Sequence, residues 1–168
     1  MTVAYIGLGS NLSDPEQQIK QAVKQLTQIE HSELIAISSL YYSRPMGPQD
    51  QPDYMNAVAA IETNLSAISL LDALQKIENE AGRIRKDNRW GARILDLDIL
   101  LFANDIINNE RLTVPHYGMK LREFVLIPLA EIAPKLILPS GEKVITLSKS
   151  INRNGLKVHS SKLNIVNN

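Results

Sequence analysis

Two aspartates, Asp96 and Asp98, stand two residues apart in the apolar segment RILDLDILLF. A β-strand points alternate side chains to opposite faces, so both carboxylates would share one face, with Cα atoms roughly 6–7 Å apart. Like charges this close repel, and aspartate is depleted in strands. Mg²⁺ prefers one or two carboxylates together with waters and phosphate oxygens. The pair therefore predicts a metal–phosphate site, and the alternative is the solvent-facing side of a half-buried strand.

The segment RIRKDNRWGAR, directly before this strand, is strongly basic. Its cations are Arg83, Arg85, Lys86, Arg89 and Arg93. A charge run is usually a solvated surface, but guanidinium groups also bind phosphates through paired hydrogen bonds. Trp90 adds an aromatic ring and Gly91 a flexible point, so the loop could close over a nucleotide and exclude water. Beside a carboxylate-held metal, the segment predicts a polyphosphate-binding site.

A second candidate is His116, in VPHYGMKLR, with Arg111 before it and Arg122 after it. A lone histidine is more often structural, and a phosphate contact is the open alternative. The segment GLGSN matches a dinucleotide-binding loop only weakly, because Leu12 occupies the third glycine position. The sequence has no P-loop or protein-kinase motif, so metal and arginines would have to hold the phosphates.

The composition is that of a globular protein. The 168 residues are 44% hydrophobic and 21% charged, and Lys+Arg and Asp+Glu both total 18. Balanced charge gives no indication of a nucleic-acid or membrane partner. With no cysteine, disulfides and thiolate metal sites are excluded. The N-terminal residues lack the pattern of a signal peptide, so we expect a cytoplasmic protein.

The apolar pattern predicts the element order β-α-β-β-α-β. Strands are indicated at 3–8, 34–42, 54–63 and 95–102, and helices at about 14–29, capped by Ser13, and from Ser66 to near Gly82. A short helix closed by Pro134 should follow. This order fits an α+β, ferredoxin-like two-layer sandwich, a mainly antiparallel sheet with two helices on one face. We expect one domain over 1–168, with about 145–168 a peripheral or poorly ordered tail.

Several segments together resemble the 6-hydroxymethyl-7,8-dihydropterin pyrophosphokinases of folate biosynthesis. RWGARILDLDILLF is similar to the family pattern R-W-G-P-R-x-x-D-x-D-I, and AYIGLGSNL, GPQDQPDYMNA and LTVPHYGMKLREFVLIPLAEIAP match in order and spacing over about residues 2–140. The resemblance implies a ferredoxin-like fold and ATP and Mg²⁺ as cosubstrate and cofactor. It also implies AMP and the pterin diphosphate as products, and a monomer.

The resemblance also implies roles for individual residues on the nucleotide side. Asp96 and Asp98 would hold two Mg²⁺ ions, with Arg83 and Arg93 completing the catalytic set. Further contacts to ATP or its closing loop would come from Gln75, Glu78, Arg85, Arg89, Trp90, Ile99, Arg111, Thr113, His116, Tyr117 and Arg122. Gln75 and Glu78 are expected on the exposed side of the second helix, and Ile99 and Thr113 near the base and ribose.

On the pterin side, the resemblance implies that the ring lies between Tyr54 and Phe124. Asn56 would bind its hydrogen-bonding edge. Backbone contacts would come from Ser43 to Met46, including Pro45, with Trp90 and Asp96 completing the site. The alternative for Tyr54 and Phe124, taken from the residues alone, is core packing.

Three departures from the family pattern are visible. Ala92 stands where proline is usual, Ser43 where threonine is common, and Tyr117 where many members have proline.

Two other functions stay open. One is a nucleotidyltransferase, which also places aspartates on a ferredoxin-like sheet. The other is a non-catalytic ferredoxin-like module that binds RNA or a regulatory ligand, which is weakened because no aromatic run suited to RNA is present.

Overall fold

The computed structural model describes residues 1–11, 14–43, 54–81 and 94–162. Its main feature is a six-stranded sheet in which every pairing is antiparallel. The main-sheet strands are β1 (Thr2–Ser10), β2 (Ser32–Ile37), β3 (Ser39–Ser43), β4 (Tyr54–Thr63), β5 (Asp96–Phe102) and β8 (Lys157–Lys162). Strand β1 lies between β4 and β5, and β3 lies between β4 and β8. The acidic strand β5 is therefore an edge strand beside β1.

The remaining elements are helices and one short hairpin. They are α1 (Pro15–Leu26), α2 (Ala67–Glu80), α3 (Glu123–Ile132), α4 (Val144–Ser150), a 3₁₀ turn (Met119–Leu121) and the hairpin strands β6 (Ile107–Asn108) and β7 (Thr113–Val114). In the described part of the chain, no helix combines the length and apolarity needed to cross a membrane.

Helices α1 and α2 cover one face of the sheet. Alternate residues of β1, among them Ile6 and Leu8, point into this layer and are at most 2% exposed. Helical spacing brings Ile19 of α1 and Leu74 of α2 against them, both fully buried. Ser66 caps α2 as predicted, accepting a hydrogen bond from the Ser69 N–H at 3.1 Å. The predicted α+β, ferredoxin-like class is confirmed.

The N-cap of α1 differs from the prediction. Asp14 occupies the cap position, with φ +64°, and its side chain makes no capping hydrogen bond. Pro15 begins the helix, where its missing N–H costs nothing. The predicted Ser13 cap lies outside the described residues.

Helices α3 and α4 pack on the opposite face of the sheet. Val58 of β4 and Leu100 of β5 point into this second core, against Val125 and Leu129 of α3. The two predicted helices on one face thus have two further helices behind the sheet. The second face matters for function because alternation along β5 directs Asp96 and Asp98 to it, together with Leu100.

The predicted strand over 34–42 is two strands that separate at Ser38. The Ser38 hydroxyl donates to the Ser39 carbonyl at 2.7 Å and accepts the Val58 N–H at 2.9 Å. The Ser38 hydroxyl thus accepts a hydrogen bond that a backbone carbonyl would accept in a regular sheet. As a result, β2 and β3 both pair with β4, at its opposite ends.

The segment interpreted as a tail contributes to the fold. Residues 144–150 form α4, and β8 pairs with β3 at the sheet edge. His159 of β8 lies 2.9 Å from Glu16 of α1 and makes an edge contact with the Tyr42 ring. The chain's last described strand therefore attaches to both the sheet and the first helix.

Candidate active site

A cavity of about 210 Å³ opens on the second face of the sheet, beside the start of α3. It brings together predicted residues from distant parts of the sequence. Those that line it are Ser43, Tyr54, Asn56, Asp96, Asp98, His116, Arg122 and Phe124. The elements responsible are the ends of β3, β4 and β5, the loop after β7 and the first turn of α3.

Six lining residues were not predicted: Gly7, Leu8, Gly9, Ala57, Leu100 and Val125. Gly7 lies opposite Asp98 and Gly9 opposite Asp96 in the β1–β5 pairing. A methyl group on Gly9 would lie 3.4 Å from the Asn56 side-chain oxygen. The sequence signal was present, because glycine inside a strand often marks close approach by a ligand. The segment that matched a dinucleotide loop weakly is thus part of this cavity.

Asp96 and Asp98 are placed as the strand pattern predicted, on one face and bordering the cavity. The Asp98 side chain is 52% exposed, and the residues paired with the two aspartates on β1, Gly7 and Gly9, carry no side chains. No group of three or more potential metal ligands occurs within the described ranges. A site with two carboxylates suits Mg²⁺, which completes its shell with water and phosphate oxygens, better than zinc.

His116 is held beside Asp98 by its backbone. Its N–H donates to the Leu100 carbonyl at 3.0 Å, which fixes the loop to β5. The Gly118 N–H donates to His116 Nδ1 at 3.1 Å, so in the neutral ring the proton is on Nε2. Nε2 lies 3.9 Å from Oδ2 of Asp98. Burial lowers the pKa of His116 and Arg122 adds to this, while Asp98 acts in the opposite direction.

Arg122 is held between two aromatic rings. Its guanidinium carbon lies 5.7 Å from the centre of the Tyr117 ring and 5.8 Å from that of Phe124. Tyr117 in turn stacks on His116, with ring centres 4.7 Å apart. Gly118 leaves room for this arrangement, because a Cβ there would lie 2.8 Å from Arg122 Nε. A cation is thereby presented at the mouth of the cavity.

The other end of the cavity can bind a flat polar ligand. Asn56 is 5% exposed, and its Nδ2 donates to the Ser43 hydroxyl at 2.9 Å, which fixes the amide orientation. Tyr54 comes from the start of β4 and Phe124 from the first turn of α3, and both rings border the same space. Aromatic rings and a fixed amide are the groups that hold and orient a planar heterocycle.

Some predicted nucleotide contacts lie outside the cavity. Arg111, in the β6–β7 hairpin, donates to Asp72 at 2.7 Å and to Gln75 at 3.0 Å, both on α2. Thr113 is exposed on the same hairpin. Ile99 points into the first core and is 2% exposed, so only its backbone could make the predicted contact to a nucleotide base.

The prediction that Glu78 lies on the exposed side of α2 is wrong. Glu78 is 9% exposed, and its Oε2 accepts the Leu97 N–H at 2.7 Å. Leu71 and Leu74 precede it by seven and four residues, which is the spacing of one helix face. That spacing could have revealed its inward position. Glu78 supports the strand segment between the two aspartates.

Seven predicted site residues lie outside the described part of the chain. They are Pro45, Met46, Arg83, Arg85, Arg89, Trp90 and Arg93.

The fold and cavity define an α+β protein whose site suits a planar polar molecule beside a phosphate-bearing one. The sequence model of the 7,8-dihydro-6-hydroxymethylpterin-pyrophosphokinase family matches residues 5–134. The chain belongs to this family and carries out its pyrophosphokinase step in folate biosynthesis. The two alternatives that the sequence left open, a nucleotidyltransferase and a non-catalytic module, are therefore not supported.

Curated relatives carry the same function in their names. A 2-amino-4-hydroxy-6-hydroxymethyldihydropteridine pyrophosphokinase of Haemophilus influenzae is 58% identical, over 89% of this chain and 92% of the relative. The protein of that name from Pseudomonas aeruginosa is 54% identical, over 82% of this chain and 84% of its own length.

Solved structures agree on the fold. A crystal structure of wild-type Plasmodium falciparum HPPK-DHPS with pteroate has a TM-score of 0.70 at 14% identity. The match covers 89% of this chain and 42% of that longer chain. The likeness supports the architecture, because identity at this level carries no information on individual site residues.

Proposed function

We propose that the chain transfers the diphosphate of ATP to the hydroxymethyl group of 6-hydroxymethyl-7,8-dihydropterin, in a reaction that requires Mg²⁺. The alcohol oxygen would attack the β-phosphorus, the bond from the β-phosphorus to the bridging oxygen of AMP would break, and the alcohol would lose its proton. The products would be AMP and the pterin diphosphate. The observation that carries the proposal is the single cavity shared by eight predicted residues from separate segments.

Asp96 and Asp98 would hold the metal, with two ions expected. Bound Mg²⁺ supplies neutralisation of the triphosphate charge and a lower pKa for a coordinated alcohol. The carboxylates themselves would fix where the phosphate chain meets the alcohol. The exposure of Asp98 and the absence of side chains on Gly7 and Gly9 support this role, because phosphate oxygens need access.

His116 and Arg122 would bind phosphate oxygens beside the two carboxylates. A neutral His116 would donate a hydrogen bond from its Nε2–H, since Nδ1 already accepts the Gly118 N–H. The guanidinium of Arg122, oriented by Tyr117 and Phe124, would stabilise charge on the transferred group. The backbone bond of His116 to Leu100 and the ring contacts of Arg122 support this role, because they fix both groups beside the cavity.

The pterin would bind between Tyr54 and Phe124, with its polar edge at Asn56. The hydrogen bond from Asn56 to Ser43 supports this assignment. It fixes the orientation of the Asn56 amide, and so determines where the amide can donate to a ligand and where it can accept. Asp96 borders the same space and would lie near the hydroxymethyl group.

Other parts of the proposal rest on the family resemblance. Gln75, Arg111, Thr113, Tyr117 and the Ile99 backbone would contact the nucleotide. Pro45 and Met46 would contact the pterin, and Arg83, Arg85, Arg89, Trp90 and Arg93 the phosphates or the closed state. We also propose that residues 1–168 form one domain, that the protein is a monomer, and that it is cytoplasmic.

A nucleotide product assay tests the reaction. The protein would be incubated with ATP, Mg²⁺ and 6-hydroxymethyl-7,8-dihydropterin, and AMP, ADP and pyrophosphate would be separated by chromatography. We expect pterin-dependent AMP with no free pyrophosphate, and no turnover in EDTA. ADP formation would mean transfer of a single phosphoryl group and would overturn the proposal.

A further inference from the structure

A carboxylate near the end of α3 is bound to strand β3 by four hydrogen bonds. The Ser39 N–H donates to both carboxylate oxygens of Glu131, at 3.1 and 3.0 Å. The Ser39 hydroxyl donates to Oε2 at 2.8 Å, and the Tyr41 hydroxyl to Oε1 at 2.6 Å. No function described above uses Glu131, which does not border the cavity.

This contact is partly shielded from water, because Glu131 is half-buried while both of its partners are buried. Ser39 is 9% exposed and Tyr41 5% exposed. Hydrogen bonds to a carboxylate are stronger than neutral ones, and the low local dielectric strengthens them further. Burial raises the pKa of Tyr41, as does its bond to Glu131, so the phenol remains a donor. The geometry thus makes Glu131 a directional attachment of α3 to the sheet.

The position of Glu131 along α3 relates it directly to the cavity. Glu131 follows Phe124 by seven residues, which at 100° per residue leaves the two side chains about 20° apart around the helix. They lie on one helix face, about 10 Å apart along the axis. On β3, the residues Ser39, Tyr41 and Ser43 share one face, and Ser43 borders the cavity. One helix face therefore meets one strand face at the attachment and at the cavity.

We propose that Glu131 is a positioning residue that sets the rotation and axial position of α3, and through them the placement of the Phe124 ring against the pterin. The apolar contacts of Val125 and Leu129 hold α3 on the sheet but have little directional preference. The carboxylate supplies the direction. This inference rests on the proposed function, since it assumes that Phe124 contacts the pterin.

The test uses Glu131→Gln in the full chain. Glutamine keeps the length, but only its one oxygen can accept, so two of the four hydrogen bonds and the negative charge are lost. Calorimetry would measure binding of 6-hydroxymethyl-7,8-dihydropterin with Mg²⁺ and α,β-methylene-ATP. We expect pterin affinity to fall roughly 10-fold, since small misplacements near a site have large effects. Affinity for the ATP analogue should stay within about 2-fold of wild type. Glu33→Gln, an exposed carboxylate on β2, is the matched control and should change neither.

A double-mutant cycle separates positioning from stability. With Phe124→Ala in the background, Glu131→Gln should weaken pterin binding far less, because the ring that it positions is gone. Equal losses in both backgrounds would overturn the inference, as would a variant with a lower Tm but wild-type pterin affinity.

Tyr41→Phe removes one of the four hydrogen bonds and keeps the ring, so it repeats the cycle with a milder change if Glu131→Gln fails to fold. If wild type binds the pterin and the Glu131→Gln and Tyr41→Phe variants bind it with the same affinity, only the positioning role is rejected. A wild-type protein that binds no pterin would reject the proposed function as well.

Discussion

Nε2 of His116 lies 3.9 Å from Oδ2 of Asp98, while Nδ1 of the same ring accepts the Gly118 N–H at 3.1 Å. One backbone group thereby determines which nitrogen faces the carboxylates. Protonation at Nδ1 would break the bond to Gly118, which favours the neutral ring, as does burial. A neutral donor beside a carboxylate that we propose binds metal could contact phosphate without adding a charge that would repel that metal.

Replacing either aspartate with alanine should abolish turnover and leave the fold intact. We expect kcat/KM to fall roughly 1,000-fold or more for Asp96→Ala and Asp98→Ala, since each removes a proposed metal ligand. For Asp98→Ala the Tm should stay level or rise, because one of two like charges on the same strand face is removed. Steady-state kinetics and thermal unfolding would measure these effects.

Asp105→Ala provides the control, since this aspartate is exposed between β5 and β6. Its kinetics should match wild type. Near-normal activity in either of the other two variants would mean that the metal assignment is wrong.

A methyl group on Gly118 should weaken nucleotide binding without unfolding the protein. The backbone there, with φ −101° and ψ −1°, is open to alanine, but its Cβ would lie 2.8 Å from Arg122 Nε. The flexible arginine can move away, so stability should change little. Its guanidinium would leave the space between Tyr117 and Phe124, and we expect the KM for ATP to rise about 3- to 10-fold.

Gly141→Ala should give the opposite result. Gly141 has φ +94° with open space around it, so alanine is strained there but touches nothing. The Tm should fall by about 2–4 °C and the KM should not change. If Gly118→Ala instead lowers the Tm and leaves the KM unchanged, Arg122 does not contact the nucleotide.

Local patterns were sufficient to predict much of the fold. The helical spacing over Leu70, Leu71 and Leu74 and the Ser66 cap predicted α2 closely, because every determinant lies within a few residues. The same holds for β4 and for the shared face of Asp96 and Asp98. These features depend on periodicity, which the sequence displays directly.

Features that depend on distant partners were missed. The break at Ser38 requires Val58, twenty residues away, to supply the N–H that the hydroxyl accepts. Strand β8 forms because β3 offers an edge, which no pattern within residues 157–162 indicates. Glu78 could have been predicted in part. Its spacing from two leucines indicates a buried position, but its charge favours an exposed one. Only the structure shows the Leu97 N–H that compensates the buried charge.

Glu78→Ala should destabilise the protein through strand β5. Removing the carboxylate leaves the buried Leu97 N–H without this acceptor, a loss of about 1–3 kcal/mol. For a chain of this size that corresponds to a Tm lower by about 3–10 °C. Because Leu97 lies between Asp96 and Asp98, kcat should fall as well.

Two further variants test the cause of that loss. Glu78→Gln retains an oxygen that can accept from Leu97 and should lose less than half as much stability. Glu80→Ala, at an exposed position on the same helix, should change the Tm by no more than about 1–2 °C. Equal losses for the alanine and glutamine variants would exclude the Leu97 hydrogen bond as the cause.

The stability contributed by the Tyr41–Glu131 hydrogen bond should disappear at high pH. Burial raises the pKa of Tyr41 in the folded protein, whereas an unfolded tyrosine ionises near pH 10. A raised folded-state pKa means that the contribution is complete below about pH 10 and is lost as the pH rises toward the folded value, because only the unfolded chain releases the proton.

Tyr41→Phe cannot titrate at this position, so the wild-type advantage of about 1 kcal/mol at pH 7 should shrink steadily between pH 9.5 and 11. Urea unfolding of both proteins across this range would measure the difference, with the other tyrosines cancelling in the comparison. A constant difference for Tyr41→Phe would show that its hydroxyl is not held protonated by the buried contact with Glu131.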